Sequence, residues 1–176
     1  RSSDLPVKSI GNSTTTPRDL ENDLDVWIIQ IALAESVAAR LRKHGFKCKT
    51  VEITVRDNGL YSFSRQIHLR QPTNITNEIV TAAFQLFKDN YKWEHPIRRL
   101  GIRAADLVLD DIPVQLDLFG NQEKKEKLEK LDRTVDEIRR RFGYFSIQRA
   151  AMYQDKVLSH LDAGTHTIHP HSYFHR

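Results

Sequence analysis

The side chains able to do chemistry in this 176-residue chain are mostly cationic, and they come in spaced sets. In Ile97-Arg98-Arg99-Leu100-Gly101-Ile102-Arg103 an extended backbone sends Arg99, Gly101 and Arg103 to one side and Leu100 and Ile102 to the other. Lys8, Arg56, Ser64 and Arg65 add further ammonium, guanidinium and hydroxyl groups, the donors that hold phosphate oxygens. A different chemistry belongs to Gln115-Leu116-Asp117-Leu118-Phe119, set between Pro113 and Gly120. Leu116, Leu118 and Phe119 are apolar anchors that need a pocket, and Gln115 both donates and accepts at a pocket's rim, which suits a peptide read in a partner's groove. The plainer reading is an edge strand that packs Leu116 or Phe119 onto the chain's own fold.

Catalytic patterns are missing. Two-metal phosphoryl chemistry needs converging carboxylates, but Asp19, Glu21, Asp23 and Asp25 sit where a helix begins and favour its dipole. Asp110-Asp111 falls at a strand end, and no Gly-rich phosphate loop, nucleophile elbow or metal-spaced Cys/His set occurs. His166, His169, His171 and His175 crowd the end of the chain, where a loose tail without supporting hydrogen bonds is a poor zinc or nickel site. No metal and no catalytic residue is expected here.

Composition sets the frame. Hydrophobic residues make up 39% and charged residues 28%, enough for one modest core with polar appendages. The longest apolar run, Val26–Ala34, is too short to span a bilayer and is broken by Gln30, so no membrane partner is expected. The single Cys48 excludes an internal disulfide and fits a reducing cytoplasm. A chain opening on Arg1 without an initiator methionine reads as a piece of a longer protein. The formal net charge of +4 permits a nucleic-acid partner. Residues 1–112 hold 16 Lys and Arg against 14 Asp and Glu, so any basic surface has to be gathered by folding.

The elements that must do the gathering can be read in order. Val7–Ser13 reads as a strand. Thr16-Pro17-Arg18-Asp19 predicts a helix start with Thr16 as N-cap, and Leu20, Leu24, Trp27, Ile31, Ala34, Ala38 and Leu41 form one apolar face of about seven turns, ending at Lys43-His44-Gly45. Lys49–Arg56 alternates, with Val51, Ile53 and Val55 inward and Thr50, Glu52, Thr54 and Arg56 outward; Asp57-Asn58-Gly59 turns it into a returning strand Tyr61–Leu69 closed by Gln71-Pro72. A second helix opens at Thr76, and Ile97–Ala105 is the last strand. The order β-α-β-β-α-β predicts an α+β, ferredoxin-like, four-stranded sheet with two helices on one face, leaving the other face lined by Arg99, Gly101, Arg103, Thr50, Thr54 and Arg56. The RNA-recognition motif shares this order, but Val7–Asn12 supplies no aromatic for base stacking. Beyond it, Asn121 caps a charge-rich helix to about Phe142 with a thin stripe of Leu128, Leu131, Val135, Ile138 and Phe142; weak periodicity over Ile147–Leu161 and a polar His-rich end follow, so residues 121–176 read as a helical and partly disordered tail. The helix either packs back on the domain or self-associates as a short coiled coil.

Two separated motifs carry a family resemblance. Lys8-Ser9-Ile10-Gly11 with Thr16–Leu20 before a long helix, and Ile97–Arg103 as a last strand, resemble the C-terminal little finger domain of bacterial Y-family translesion DNA polymerases of the DinB/UmuC/DNA polymerase IV type. Ser64-Arg65 on the returning strand also fits. The resemblance implies a DNA-binding domain over residues 5–112 that lays its sheet across template-primer duplex, with Lys8, Arg98, Arg99 and Arg103 at the basic positions and Arg56, Ser64 and Arg65 as hairpin candidates. It implies that Gln115, Leu116, Asp117, Leu118 and Phe119, within 113–120, bind the bacterial sliding clamp. It further implies that the 121–176 tail contacts a repair protein, as in UmuC-like chains, and that the parent polymerase uses magnesium at carboxylates absent here. A ferredoxin-like RNA- or protein-interaction module unrelated to polymerases is the alternative.

Overall fold

The computed structural model describes residues 7–111 and 121–161; Gln115–Phe119 and His166, His169, His171 and His175 lie outside them. The elements run β1 (Ser9–Leu20), α1 (Asp23–Lys43), β2 (Phe46–Asp57), β3 (Ser62–Thr73), α2 (Thr76–Asn90), β4 (Ile97–Leu109), α3 (Gln122–Phe142), two 3₁₀ turns (Tyr144–Ser146 and Ala150–Gln154) and a short α4 (Lys156–Ser159). The β-α-β-β-α-β order is the expected one, in an α+β fold. The sheet is antiparallel throughout in the order β1-β4-β2-β3. Each helix therefore joins two strands that run parallel with a third inserted between them.

The first helix starts later than expected. Asn22, with extended backbone, is the N-cap, and its side chain accepts from the Asp25 amide at 2.9 Å; Asp23 and Asp25 follow in the first turn. Thr16 is not a cap and Pro17 is not at a first helical turn. Both belong to β1, in an irregular stretch between the Thr15–Arg99 and Leu20–Ile97 pairs. Pro17 lacks an N–H, which an edge strand tolerates at a bulge, and the Thr16 hydroxyl donates to the Arg98 carbonyl there at 3.1 Å. The far edge repeats the device. Pro72 does not end β3 but lies in an irregularity between the Cys48–Thr73 and Thr50–His68 pairs.

Helix α1 is buried on more than one face. Residues 28–38 are buried without a break, although Leu24 is 46% exposed. The sheet and α2 cover part of it, with Trp27 meeting Phe84 edge-on at 5.1 Å, and the segment after residue 120 covers the rest. Met152, Leu158 and Leu161 enter the core with α1. Charged groups fasten this third layer: Arg42, 4% exposed in its side chain, donates to Asp132 and Asp136, while Glu35 accepts from Arg139 at 2.6 Å and Arg149 at 2.9 Å. Helix α3 thus packs back through Asp132 and Arg139, and two members of its apolar stripe, Leu131 and Phe142, are exposed. No helix among the described residues is long and apolar enough to cross a membrane.

Candidate nucleic-acid interface

The strand register builds a helix-free sheet face in four rows. Thr15, Arg99, Arg56 and Ser62 lie side by side across β1, β4, β2 and β3; next come Ser13, Gly101, Thr54 and Ser64; then Gly11, Arg103, Glu52 and Gln66; last Ser9, Ala105, Thr50 and His68. The opposite face carries Ile10, Leu100, Ile102, Val51, Ile53 and Val55, all buried under the helices. Beside small residues, hydroxyls and arginines the helix-free face bears Glu52, Gln66 and His68, but no Phe, Tyr or Trp ring among the described residues. The stacking arrangement of an RNA-recognition motif is therefore absent from it, since Tyr61 and Phe63 sit on the helix side of β3.

Smallness at the centre of this face has a steric cause. A Cβ on Gly101 would fall 2.3 Å from Thr54 Oγ1 and 3.1 Å from Ser13 Cβ, so glycine lets its two row neighbours close over β4. The result is a low floor between Arg99 and Arg103.

The arginines differ in their company. Arg99 and Arg56 are exposed, adjacent in one row, and line a shallow groove with Thr54, Ser62 and Ser64. Arg99 donates to Ser13 Oγ at 3.0 Å; neither Arg99 nor Arg56 has an ion pair among the described residues. Arg103 is already paired: it donates to Glu52 Oε2 at 2.8 Å, although its side chain stays 49% exposed. Arg98 leaves by the helix side at the strand end and pairs with Asp19 at 3.3 Å. Arg65 also leaves by the helix side of β3, its guanidinium 5.4 Å from the Phe63 ring centroid. Lys8, exposed, precedes β1 at the far end of the sheet from Arg56. Of the residues singled out in the sequence, the fold brings Arg56, Ser64, Arg99 and Arg103 onto one face and leaves Lys8, Arg65 and Arg98 off it.

Two features of the face were not apparent in the sequence. Thr50, expected outward and available, is 1% exposed beneath its neighbours. Its hydroxyl donates to Asp106 Oδ2 at 2.5 Å and lies 2.8 Å from His68 Nδ1. Asp106 reaches the helix-free face through a left-handed backbone, φ 51°, which aspartate tolerates better than most residues. The face is consequently polarised, with free arginines at the hairpin end and an aspartate at the other. No sequence periodicity signals that twist.

Elsewhere the titrating groups are structural. Burial pushes the Cys48 thiol up to about 12, which makes it an inert core group and no nucleophile. Hydrogen bonds from Lys88 and Trp93 hold the Asp23 carboxyl below its ordinary value. Among the described residues no group of three or more His, Cys, Asp or Glu side chains is placed to hold a metal ion.

A family model for the impB/mucB/samB family C-terminal domain matches residues 7–118. The chain is 44% identical over 158 residues to a DNA polymerase IV of Acetivibrio thermocellus, covering 90% of this chain and 40% of that protein. It is 36% identical over 148 residues to DNA polymerase IV 2 of Bacillus subtilis strain 168, covering 82% and 35%. A solved complex of the β-clamp processivity factor and the little finger domain of PolIV matches 64% of this chain and 98% of its own at TM-score 0.48 and 14% identity. The chain spans about 40% of the length of the first of these relatives. An alignment over 158 of the 176 residues takes in part of the segment after residue 120 as well. With its family match running from β1 past β4, the chain belongs to the impB/mucB/samB family, as that family's C-terminal domain.

Proposed function

We propose that this chain is the DNA-holding region of an error-prone translesion DNA polymerase, and that its helix-free sheet face lies along template-primer duplex. The observation that carries the reading is the pair Arg56–Arg99, exposed side by side without an acidic partner among the described residues, on a face floored by Gly101 and edged by Ser62 and Ser64. Guanidinium and hydroxyl donors on a low surface suit phosphate oxygens. Phosphate contacts give affinity without reading bases, which fits a polymerase that must move over damaged template. Lys8, Arg65, Arg98 and Arg103 join the footprint at its margins, Arg98 and Arg103 by exchanging Asp19 and Glu52 for phosphate.

Gln115-Leu116-Asp117-Leu118-Phe119 tethers the domain to the bacterial sliding clamp in this reading. It follows the last strand in the sequence, and its three apolar anchors with a side-chain amide suit a groove. Polymerisation belongs to the parent protein, a cytoplasmic DNA-directed polymerase with magnesium at carboxylates of its other domains. For the repair-protein contact expected of the tail, the described residues after 120 offer Leu131, Phe142, Phe145, Tyr153 and Val157 as exposed apolar groups.

The test is salt-dependent duplex binding. Arg56→Ala/Arg99→Ala should weaken binding to any duplex sequence and flatten the dependence of log K on log salt by about 0.9 per arginine. An unchanged slope would remove these side chains from the interface. Gln115→Ala/Leu118→Ala/Phe119→Ala should abolish binding to a bacterial clamp and leave duplex binding alone.

A further inference from the structure

At the hairpin end of the sheet, just around the β3 edge from Arg56 and Arg99, two large side chains stand in solvent. Leu60 is 74% exposed and Tyr61 59%. Leu60 takes φ 71°, a left-handed conformation that strains a bulky residue and that persists only where the surroundings dictate it. The surroundings do so here. The Asp57 carboxylate accepts from the Tyr61 amide at 3.0 Å, the Asp57 amide donates to the Tyr61 carbonyl at 3.0 Å, and the Asn58 amide donates to the Pro96 carbonyl at 2.9 Å. Asp57 is 4% exposed, so the tip is anchored from within.

Behind Tyr61 runs a ladder of rings. Its centroid is 5.9 Å from Phe63, Phe63 is 6.1 Å from Tyr91 at 17° between planes, and Tyr91 is 5.4 Å from Phe87. Tyr61 is the outermost rung and the most exposed of the four. Arg65, two positions past Phe63 on the same side of β3, adds a cation at the ladder's flank. Ser62 and Ser64, the alternate residues of the strand, belong to the groove that Arg56 and Arg99 line.

We propose that Leu60 and Tyr61 form a stacking station for an unpaired nucleotide of DNA whose phosphates lie on Arg56 and Arg99. The inference rests on the duplex-binding reading and extends it to the single strand beyond the duplex. A rigid aromatic face flanked by guanidinium groups on both sides of one strand matches a base with its phosphates: every base has a π-face, and the cations neutralise the backbone. Tyr61 immediately precedes Ser62, the first residue of β3, whose side chain belongs to the sheet-face groove, so a nucleotide leaving that face has about one strand's width to cross.

The experiment titrates the 176-residue chain, by fluorescence anisotropy, with a blunt duplex and with the same duplex carrying a single-stranded thymidine overhang. The overhang should tighten binding by about tenfold, the scale of stacking one base. Tyr61→Ala should erase that gain and Tyr61→Phe should keep it, both with blunt-duplex affinity and thermal unfolding unchanged; Arg56→Ala/Arg99→Ala should weaken both substrates. Equal affinity for the two substrates in the wild-type chain, or a full overhang gain in Tyr61→Ala, would overturn the station. Failure to bind blunt duplex would overturn the duplex reading, and the station with it only if the overhang substrate also goes unbound.

Discussion

Arginine serves two opposite ends on the two sides of this sheet. On the helix side Arg42 donates to Asp136 through Nε and Nη2 at 2.7 and 2.9 Å, and to Asp132 and the Asn74 carbonyl through Nη1. Arg139 and Arg149 converge on one buried carboxylate, Glu35. Arg18 grips Asp25 with both terminal nitrogens at 2.9 Å and also reaches Asp155. These guanidinium groups join α1 and β1 to the segment after residue 120, whose partners lie some 90 to 140 positions away. On the bare side Arg56 and Arg99 have no carboxylate among the described residues. The formal charge of +4 counts both sets alike, yet only the second can attract a polyanion. What a basic chain binds is decided by which cations its own acids leave unpaired.

Removing one buried cation tests the contrast most severely. Arg42→Ala leaves Asp132 and Asp136 without their guanidinium in a buried site and should cost about 3–5 kcal/mol in urea unfolding, whereas Arg99→Ala should stay within about 0.5 kcal/mol. Acid probes the same layer more gently. Burial by itself would raise the Asp25 carboxyl, but Arg18 and the Glu21 amide outweigh it and hold it low, and Arg18 likewise holds Asp155 low. A carboxyl depressed in the folded state contributes stability above its unfolded value of about 3.9 and loses it as pH falls through the folded value. Amide-exchange protection over residues 150–161 should therefore fall below about pH 4 before that of the β2 and β4 amides. On the bare side, Glu52→Gln spares Arg103 the exchange of partners and should tighten duplex binding in the same titration, the reverse of Arg56→Ala/Arg99→Ala. Smallest of all, Leu60→Asn relieves the left-handed strain and should stabilise the chain by at most about 1 kcal/mol in thermal unfolding.

Much of this was legible in the residues. Alternation placed Val51, Ile53 and Val55 inward and Arg99 and Arg103 outward, because a period of two admits no other arrangement once one face is buried. Proline misled at both margins. Pro17 after a threonine has the local grammar of a helix start, and Pro72 that of a strand end, yet each occupies an irregularity of an edge strand. Only tertiary pairing distinguishes the two cases. The helical run Val26–Ala34 was itself a signal that α1 is covered on several sides, since a helix apolar all round is a buried one. The pairing of Arg103 with Glu52 depends on strand order, which element order alone leaves open, and the turn of Asp106 onto the bare face depends on one backbone angle.

The proline-bearing margins carry a consequence for how such a domain can be engaged. Adding a strand to a sheet requires an unbroken row of free amides and carbonyls along an outer border. At Pro17 and at Pro72 that row is interrupted, each one missing a donor where the ladder also loses its register. A strand added at either border therefore cannot run its full length: on β1 it would have to stop short of Pro17, and on β3 short of Pro72.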